Sequence, residues 1–279
     1  LGVDAAIMFA DLLPILEPMG MKLDYIPGFG PNFENPVRTH ADIDNLRVQP
    51  AKESMPYIHD VIKLIRAELP KDIPLIGFGG APFTLASYAI EGKGSRNYVF
   101  VKQMMYGDTG AWHGLMEKIT DTVIDYMNYQ IDSGVQAVQL FDSWVGTLSP
   151  SDYREYVMPH SQRMMKEISG RVPVIHFGTG NPALAPLMAE AGGDVLALDW
   201  RTPLLETWNA TGVKSVQGNM DPIILCADKA SVKRKAKEVL DEVDGRPGHI
   251  FNLGHGIIPE TPVENVKALV DFVHEYSAK

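Results

Sequence analysis

The sequence of 279 residues contains a single cysteine, Cys226. One thiol excludes a disulfide within the chain and any metal site built from several thiolates. No apolar run approaches the roughly 18 residues that a membrane-spanning helix needs, so we expect no membrane partner. A dense run of basic residues is also lacking, and we therefore expect no binding to nucleic acid.

Positive charge is scarce overall, with 25 Lys and Arg against 35 Asp and Glu and a formal net charge of −10. An anionic ligand must therefore be held by a local basic site that works against the field of the whole protein. The 45% of apolar residues is ordinary for a globular protein and excludes a disordered chain. No linker, repeat or low-complexity tract divides the sequence, so we predict one domain over residues 1–279.

Seven short apolar runs recur along the chain, and each ends close to Gly, Asp, Asn or Ser. Most of them lack alternation of polar and apolar residues, which is typical of strands buried on both faces of a parallel sheet. Amphipathic helical segments separate them, and the order predicts an α/β protein. The predicted strands are Ala5–Phe9, Leu75–Phe78, Ala137–Phe141, Val172–Phe177, Val195–Leu198, Val213–Gln217 and His249–Leu253.

Three helices have clear sequence signals. Lys118–Ile131 carries apolar residues at helical spacing. Ser149 followed by Pro150 is typical of a capped helix start. Thr261 and Glu264 have the spacing of a capping box before the last helix.

Two segments interrupt the alternation of strands and helices. Met21–Pro36 is rich in Gly, Pro and Asn and predicts a long loop or hairpin, and Gly92–Trp112 is predicted as a second long loop. Seven strands fit an open doubly wound sheet, whereas a closed (β/α)8 barrel needs eight, and composition leaves both architectures open. Both architectures bind ligands at the C-terminal ends of their strands.

Polar residues at the predicted strand ends are therefore candidates for a site. Asp11 follows the first strand, as a helix N-cap or as a partly buried carboxylate facing a pocket. His255 lies between two glycines, which allow backbone and ligand to approach closely, and this favours a functional role. Tyr88 has the position of a core aromatic. Ser143 lies where a helix cap is expected, and it is not flanked by the Gly-x-Ser-x-Gly pattern of a nucleophile elbow.

The segment Gly178–Ala183 fits the pattern Gly-x-Gly-x-x-Ala and lies about twenty residues before Asp199. This is the outline of a dinucleotide fingerprint, although a Rossmann domain normally carries it on its first strand. The alternatives are a nest for a phosphate-sized or carboxylate-sized anion, or simply a tight turn. Because the histidines lie on separate elements from one another and from Cys226, we predict no metal site.

Six segments at or near the strand ends occur in a specific order. They are Ala6–Asp11 with Glu17–Met21, Gly79–Leu85 with Tyr88, Glu91 and Gly92, Gln139–Ser143, Leu198–Trp200, Gln217–Pro222, and Asn252–Gly256 with Pro259. Together they closely resemble the uroporphyrinogen decarboxylase family, from Leu1 to about Tyr276. No single segment would suffice for this resemblance.

The resemblance implies a (β/α)8 barrel that converts the four acetate side chains of uroporphyrinogen III to methyl groups, giving coproporphyrinogen III in haem biosynthesis. It implies no cofactor and no metal. It also implies a cytoplasmic homodimer that binds a small molecule, the tetrapyrrole substrate. By match, Asp11 and Tyr88 are expected to act in catalysis. Ser143 and His255 are expected to bind substrate carboxylates, and Phe141 to form an apolar wall.

The chemistry suits these residue types, because loss of carbon dioxide from an acetate requires a sink for the electrons left behind. Protonation of the adjacent ring carbon makes the pyrrole an iminium-like cation, so the substrate supplies that sink itself. Asp11 would accept hydrogen bonds from pyrrole N–H groups and stabilise the positive charge. Tyr88 would orient the reacting acetate.

Family members carry, upstream of the strand before Asp11, a first barrel strand and an Arg-Gln-Ala-Gly-Arg-Tyr segment that binds substrate carboxylates. These 279 residues contain no such segment, and Arg38, Arg96 and Arg201 match no family position for that role. We therefore expect a barrel that lacks its first βα unit, with seven strands. One interpretation is that these 279 residues are inactive, because they lack the arginine segment.

Two further interpretations remain open. One is a corrinoid-dependent methyltransferase of the same superfamily, which would use zinc held by His and Cys; the single Cys226 argues against it. The other is a non-catalytic remnant that binds tetrapyrroles, which the missing arginines favour.

Overall fold

A curled sheet of seven parallel strands lies at the centre of the structure, a computed structural model that describes residues 1–278. The strands in chain order are β1 (Ala6–Ile7), β2 (Leu23–Ile26), β3 (Gly30–Phe33), β4 (Leu75–Gly80), β5 (Ala137–Asp142), β6 (Val174–Gly178), β7 (Val195–Leu198), β8 (Ser215–Met220) and β9 (His249–Leu253). β2 and β3 form an antiparallel hairpin. The other seven pair in chain order, with β1 and β9 at the edges within the described residues.

Helices connect the strands. The α-helices are α1 (His40–Asn45), α2 (Ala51–Ser54), α3 (Tyr57–Glu68), α4 (Pro82–Glu91), α5 (Val99–Gly107), α6 (Thr109–Ser133), α7 (Pro150–Asp152), α8 (Met158–Ile168), α9 (Ala185–Ala191), α10 (Leu204–Thr211), α11 (Lys229–Val243) and α12 (Val263–Ser277). A π-helical turn, Tyr153–Val157, joins α7 to α8. None of the helices in residues 1–278 combines the length and the apolar character needed to cross a membrane.

Both faces of the sheet are buried, which explains why its strands read as continuous apolar runs. The outer face packs into the main core with the helices, through side chains such as Leu75, Val138 and Leu140. The inner face holds a smaller cluster formed by Ile175, Phe177, Val195 and Ala197 together with Ile76 and Phe141. The prediction of seven strands in a curled α/β sheet is confirmed, with small shifts at several strand ends.

The two segments predicted to be loops have different outcomes. Met21–Pro36 was predicted to be a long loop or a hairpin, and it contains the hairpin of β2 and β3. The prediction of a loop over Gly92–Trp112 is wrong, because this segment contains α5 and the start of α6. Val101, Met105 and Trp112 are fully buried there, so apolar contacts with the core stabilise helices where the sequence has weak local signals.

Two of the three helix predictions are confirmed, and the third is wrong because its helix begins one residue later than predicted. Lys118–Ile131 lies within α6, and Ser149 Oγ accepts a hydrogen bond from Asp152 N–H as predicted. The capping box at Thr261 is wrong. α12 begins one residue later than the box requires, so its N-cap is Pro262 and Thr261 Oγ1 is buried without a partner among the described residues.

The buried amide of Gln130 completes the hydrogen bonding of β4 beyond the end of β1. β1 pairs with β4 at Leu75 and Ile76, so within the described residues the Phe78 backbone has no strand partner on that side. Gln130 on α6 takes this place. Its Oε1 accepts from Phe78 N–H at 2.9 Å, and its Nε2 donates to the Phe78 carbonyl oxygen at 2.9 Å. This contact fixes α6 to the strand end that carries Phe78.

We predict that Gln130→Leu lowers the free energy of unfolding by about 2–4 kcal/mol, because it leaves two backbone groups of Phe78 buried without partners. Urea unfolding followed by circular dichroism measures the change. Gln103→Leu, at an exposed position of α5, is the matched control, with an expected change below about 0.5 kcal/mol. Equal unfolding midpoints for Gln130→Leu and the unsubstituted protein would contradict this role.

Candidate active site

A row of aromatic rings crosses the sheet near the C-terminal ends of its strands. Phe9 lies 6.0 Å from Phe78 between ring centroids, and Phe78 lies 5.9 Å from Phe141. Phe141 is 5.7 Å from Phe177, which is 6.2 Å from the imidazole of His255. The row forms a continuous apolar surface that can pack against a large conjugated ligand.

The aromatic row contains the predicted wall residue Phe141 and three phenylalanines that the sequence interpretation missed. A signal for them was available, because four of the predicted strands, those ending at Phe9, Phe78, Phe141 and Phe177, have phenylalanine as their last residue. Because the carboxyl ends of parallel strands meet at one end of the sheet, this pattern predicts that the four rings lie close together.

A cleft of about 450 Å³ lies beside the aromatic row. It contains Ser143 and His255, which were both predicted to bind substrate. Its lining residues are Arg96, Tyr98, Ser143, Trp144, Gly146, Thr147, Thr179, Gly180, Trp200, Arg201 and His255. The cleft thus combines aromatic surface with hydroxyl, imidazole and guanidinium groups, which suits a ligand with an apolar body and anionic substituents.

The imidazole of His255 has a defined hydrogen-bonding pattern. Its Nδ1 accepts a hydrogen bond from Gly256 N–H at 2.8 Å, so the neutral ring carries its proton on Nε2. His255 is exposed, and the Trp200 ring lies edge-on to it at 6.4 Å. The Nε2–H group can therefore donate to a carboxylate in the cleft.

Asp11 is exposed, so the expected partial burial is wrong, but its side chain lines a small pocket with Tyr57 and Phe78, as the same interpretation expected. It follows β1, which lies at one edge of the sheet within the described residues. Its Oδ1 accepts from Leu13 N–H at 2.8 Å, which is the capping contact that the sequence also allowed. Burial raises the pKa of Tyr25 on β2, and a hydrogen bond with Asp11 raises it further, so a neutral phenol donates to this carboxylate.

Tyr88 on α4 connects Asp11 with the cleft. Its ring centroid lies 6.0 Å from that of Trp144, which lines the cleft. Burial raises the pKa of Tyr88; a hydrogen bond with Trp144 opposes this, and the negative charge of Asp11 adds to it. Asp11 and Tyr88 therefore interact, Ser143 and His255 share the cleft, and Phe141 lies in the aromatic row.

A buried contact between Thr84 and Asp142 fixes these groups relative to one another. Thr84 Oγ1 donates to Asp142 Oδ1 at 3.0 Å and accepts from Trp144 N–H at 3.3 Å. Thr84 lies one helical turn before Tyr88, and Asp142 directly precedes Ser143. The contact thus ties the helix that carries Tyr88 to the turn after β5. Sequence interpretation missed both residues, because their side chains face the helix layer and not the cleft.

The loop after β6 is held by Asp199, and these contacts favour the tight-turn interpretation of Gly178–Ala183 over the dinucleotide and anion-nest interpretations. Asp199 Oδ2 accepts from Thr179 Oγ1 at 2.6 Å and from Gly180 N–H at 2.7 Å. The Gly180 N–H group is therefore already occupied and is not available to an anion. Burial raises the pKa of Asp199, but hydrogen bonds led by that from Thr179 outweigh burial and hold the pKa below its usual value.

A family model described as uroporphyrinogen decarboxylase matches residues 1–276. The chain belongs to this family. A uroporphyrinogen decarboxylase from Sorangium cellulosum is 52% identical over 276 residues, which cover 98% of this chain and 79% of that protein. One from Carboxydothermus hydrogenoformans is also 52% identical, over 280 residues that cover 100% of this chain and 80% of that protein. The resemblance inferred from six sequence segments is confirmed.

Two solved structures share the fold of this chain. A methyltransferase from Methanosarcina mazei superposes with a TM-score of 0.84 at 21% identity, covering 99% of this chain and 81% of that one. A B12-independent methionine synthase from Shewanella sp. W3-18-1 has a TM-score of 0.63 at 12% identity, covering 99% and 82%. At such identities the likeness concerns the barrel-like fold alone.

We predict that Asp142 makes stability fall as the pH rises from about 4 to about 7. Burial raises the pKa of Asp142 from 3.8 to about 7, against the hydrogen bond from Thr84. The folded state therefore holds this proton more tightly than the unfolded chain. The resulting stabilisation is complete below pH ~4 and is lost through pH ~7, by up to about 1.4 kcal/mol per pH unit. Urea unfolding at several pH values measures this slope.

Asp142→Asn should remove this contribution, because the amide keeps the shape of the neutral carboxyl and does not titrate. Asp44→Asn, at an exposed site, is the control that should retain it. His160 and His176 act in the opposite sense, since burial lowers the pKa of each to about 4, and stability is lost as the pH falls. Only the difference between variant and parent therefore isolates Asp142. An identical slope in both proteins would show that Asp142 is ionised when folded.

Proposed function

We propose that this protein decarboxylates uroporphyrinogen III to coproporphyrinogen III, by removing its four acetate carboxylates in haem biosynthesis. The observation that carries the proposal is the aromatic row at the strand ends, with Asp11 two residues after Phe9, Tyr88 packed against Trp144, and the cleft of Ser143 and His255 beside the row. A tetrapyrrole has the same character, a broad apolar ring system bordered by carboxylates. Membership in the uroporphyrinogen decarboxylase family supports the same assignment.

The aromatic row packs against the macrocycle, and the polar groups around it bind the side chains. Ser143 Oγ and His255 Nε2–H are hydrogen-bond donors in the cleft, so they bind substrate carboxylates. Phe141 lies in the middle of the row and contacts the apolar face of the ring system. Such contacts position the substrate without contributing to the bond-breaking step.

Asp11 acts on the charge that develops in the reaction. Each cycle breaks the bond between the acetate methylene and its carboxylate, releases carbon dioxide and consumes one proton to leave a methyl group. The protonated pyrrole takes up the electron pair from the broken bond, so no cofactor is needed. Asp11 accepts hydrogen bonds from pyrrole N–H and stabilises the cation. Tyr88 is a neutral phenol, and burial raises its pKa further, so it donates its hydroxyl to orient the reacting acetate.

The finer properties of the protein follow from the same family resemblance. We propose one barrel domain over residues 1–279, which acts in the cytoplasm as a homodimer without nucleic-acid partners. Apolar side chains at the tip of the hairpin support association, since Phe29 is 86% and Ile26 40% exposed. Sedimentation equilibrium should give the mass of two chains, and recovery should be in the cytosolic fraction. A mass of one chain at micromolar concentration would contradict the dimer.

The methyltransferase interpretation has less support. Zinc requires three or four clustered ligands. Within residues 1–278 no three His, Cys, Asp or Glu side chains form such a group, and Cys226 is exposed. The remnant interpretation predicts binding of a tetrapyrrole without turnover, and a direct assay distinguishes it from the proposed enzyme.

Incubation of the full-length protein with uroporphyrinogen III under reducing, anaerobic conditions should yield coproporphyrinogen III and partly decarboxylated intermediates. Liquid chromatography of the oxidised porphyrins measures the products. Binding without any loss of carboxylate would support the remnant and contradict the proposed activity.

In this assay Asp11→Asn should lower kcat by about 10²–10³-fold, because a neutral amide cannot stabilise the developing cation. Stability should change little, since the amide oxygen can still accept from Leu13 N–H. Asp228→Asn, which alters the exposed carboxylate that caps α11, is the control and should keep full activity. Full activity of Asp11→Asn would remove Asp11 from catalysis.

A further inference from the structure

The cleft beside the aromatic row has a charge opposite to that of the protein. The chain carries a formal charge of −10, yet two of the residues that line the cleft are arginines, and no Asp or Glu in the described part of the chain is among them. Arg96 and Arg201 match none of the family positions that the sequence resemblance assigns to substrate arginines. Their presence in one cleft is a feature of the tertiary structure.

Arg201 is held in a defined orientation. Its Nη1 donates to Asp199 Oδ2 at 2.9 Å, and its guanidinium carbon lies 3.9 Å from the centroid of the Trp200 ring. Its side chain is nevertheless 49% exposed. In residues 1–278, Nε and Nη2 of Arg201 have no hydrogen-bond acceptor. The guanidinium is thus held by Asp199 at Nη1 and by the Trp200 ring against its face, and it presents its remaining N–H donors to the cleft.

Asp199 positions Arg201 and does not depend on it for solvation. This buried carboxylate also accepts from Thr179 Oγ1, Gly180 N–H, the backbone N–H of Arg201 and Thr202 Oγ1. These neutral donors satisfy the ionised carboxylate even without the guanidinium. Replacement of the Arg201 side chain should therefore leave the loop folded.

Arg96 brings a second cation to the cleft from the loop before α5. The loop is anchored because Ser95 Oγ accepts from Tyr98 N–H at 3.0 Å and Tyr98 is buried. Arg96 itself is exposed, and it has no ion-pair partner among the described residues. A free guanidinium on an anchored loop is suited to meet a mobile carboxylate arm.

We propose that Arg201 and Arg96 bind carboxylate side chains of the substrate in this cleft, beside His255 Nε2–H. The inference rests on the proposed function, since it takes the substrate to be a tetrapyrrole with eight carboxylates. Planar guanidinium groups bind carboxylates through two parallel hydrogen bonds, and aromatic stacking pre-organises Arg201 for this. The two arginines thereby select polycarboxylated tetrapyrroles.

The test is a fluorescence titration of the full-length protein with uroporphyrin III, the oxidised and unreactive form of the substrate, at several salt concentrations. Arg201→Gln and Arg96→Gln should each raise the Kd by about tenfold to a hundredfold, because each removes a charged hydrogen-bond donor. Each should also make the Kd less dependent on salt. In turnover, KM should rise while kcat changes little.

Arg154→Gln is the matched control, because Arg154 also pairs with a carboxylate and is 54% exposed, but it does not line the cleft. Arg201→Lys keeps the charge without the planar fork, so it should bind with intermediate affinity, and equal urea midpoints confirm folding. Unchanged affinity of either glutamine variant, in a protein that turns over uroporphyrinogen, would overturn this inference alone. Unsubstituted protein that neither binds nor converts the tetrapyrrole would overturn the proposed function as well.

Discussion

Parallel hydrogen bonding between neighbouring strands determines where the aromatic row and the strand-end groups of the site lie. Because the strands run in one direction, their carboxyl ends meet at one end of the sheet. Phe141 and Phe177 are direct partners in the register of β5 and β6, and Phe78 lies on the next strand along. The aromatic row therefore follows from strand pairing, and residues far apart in the chain become one surface.

The second layer of organisation lies behind the cleft, in buried polar contacts. Thr84 and Asp142 join α4 to the turn after β5, and Asp199 holds the loop after β6 together with Arg201. These contacts are costly to bury, and a buried carboxyl is less favourable for stability than an apolar group. Their effect is to fix the side chains that face the substrate.

Charge is distributed so that the site differs from the protein around it. An acidic chain repels a polyanion, but salt largely screens this repulsion at distances beyond about 10 Å. Local cations then decide binding. The arginines in the cleft, together with the hydrogen-bond donors of Ser143 and His255, give the site a polarity that total composition conceals.

Sequence alone determined the seven strands of the parallel sheet, their succession along the chain and the family, because continuous apolar runs and strand-end motifs are local features. It also identified Asp11, Tyr88, Phe141, Ser143 and His255 as candidates. Tertiary structure decided the exposure of Asp11, the helix over Val99–Gly107, the contact between Thr84 and Asp142, and the placement of Arg96 and Arg201 in one cleft. Each of these depends on which distant segments pack together, and a pattern along one stretch of chain carries no information about that.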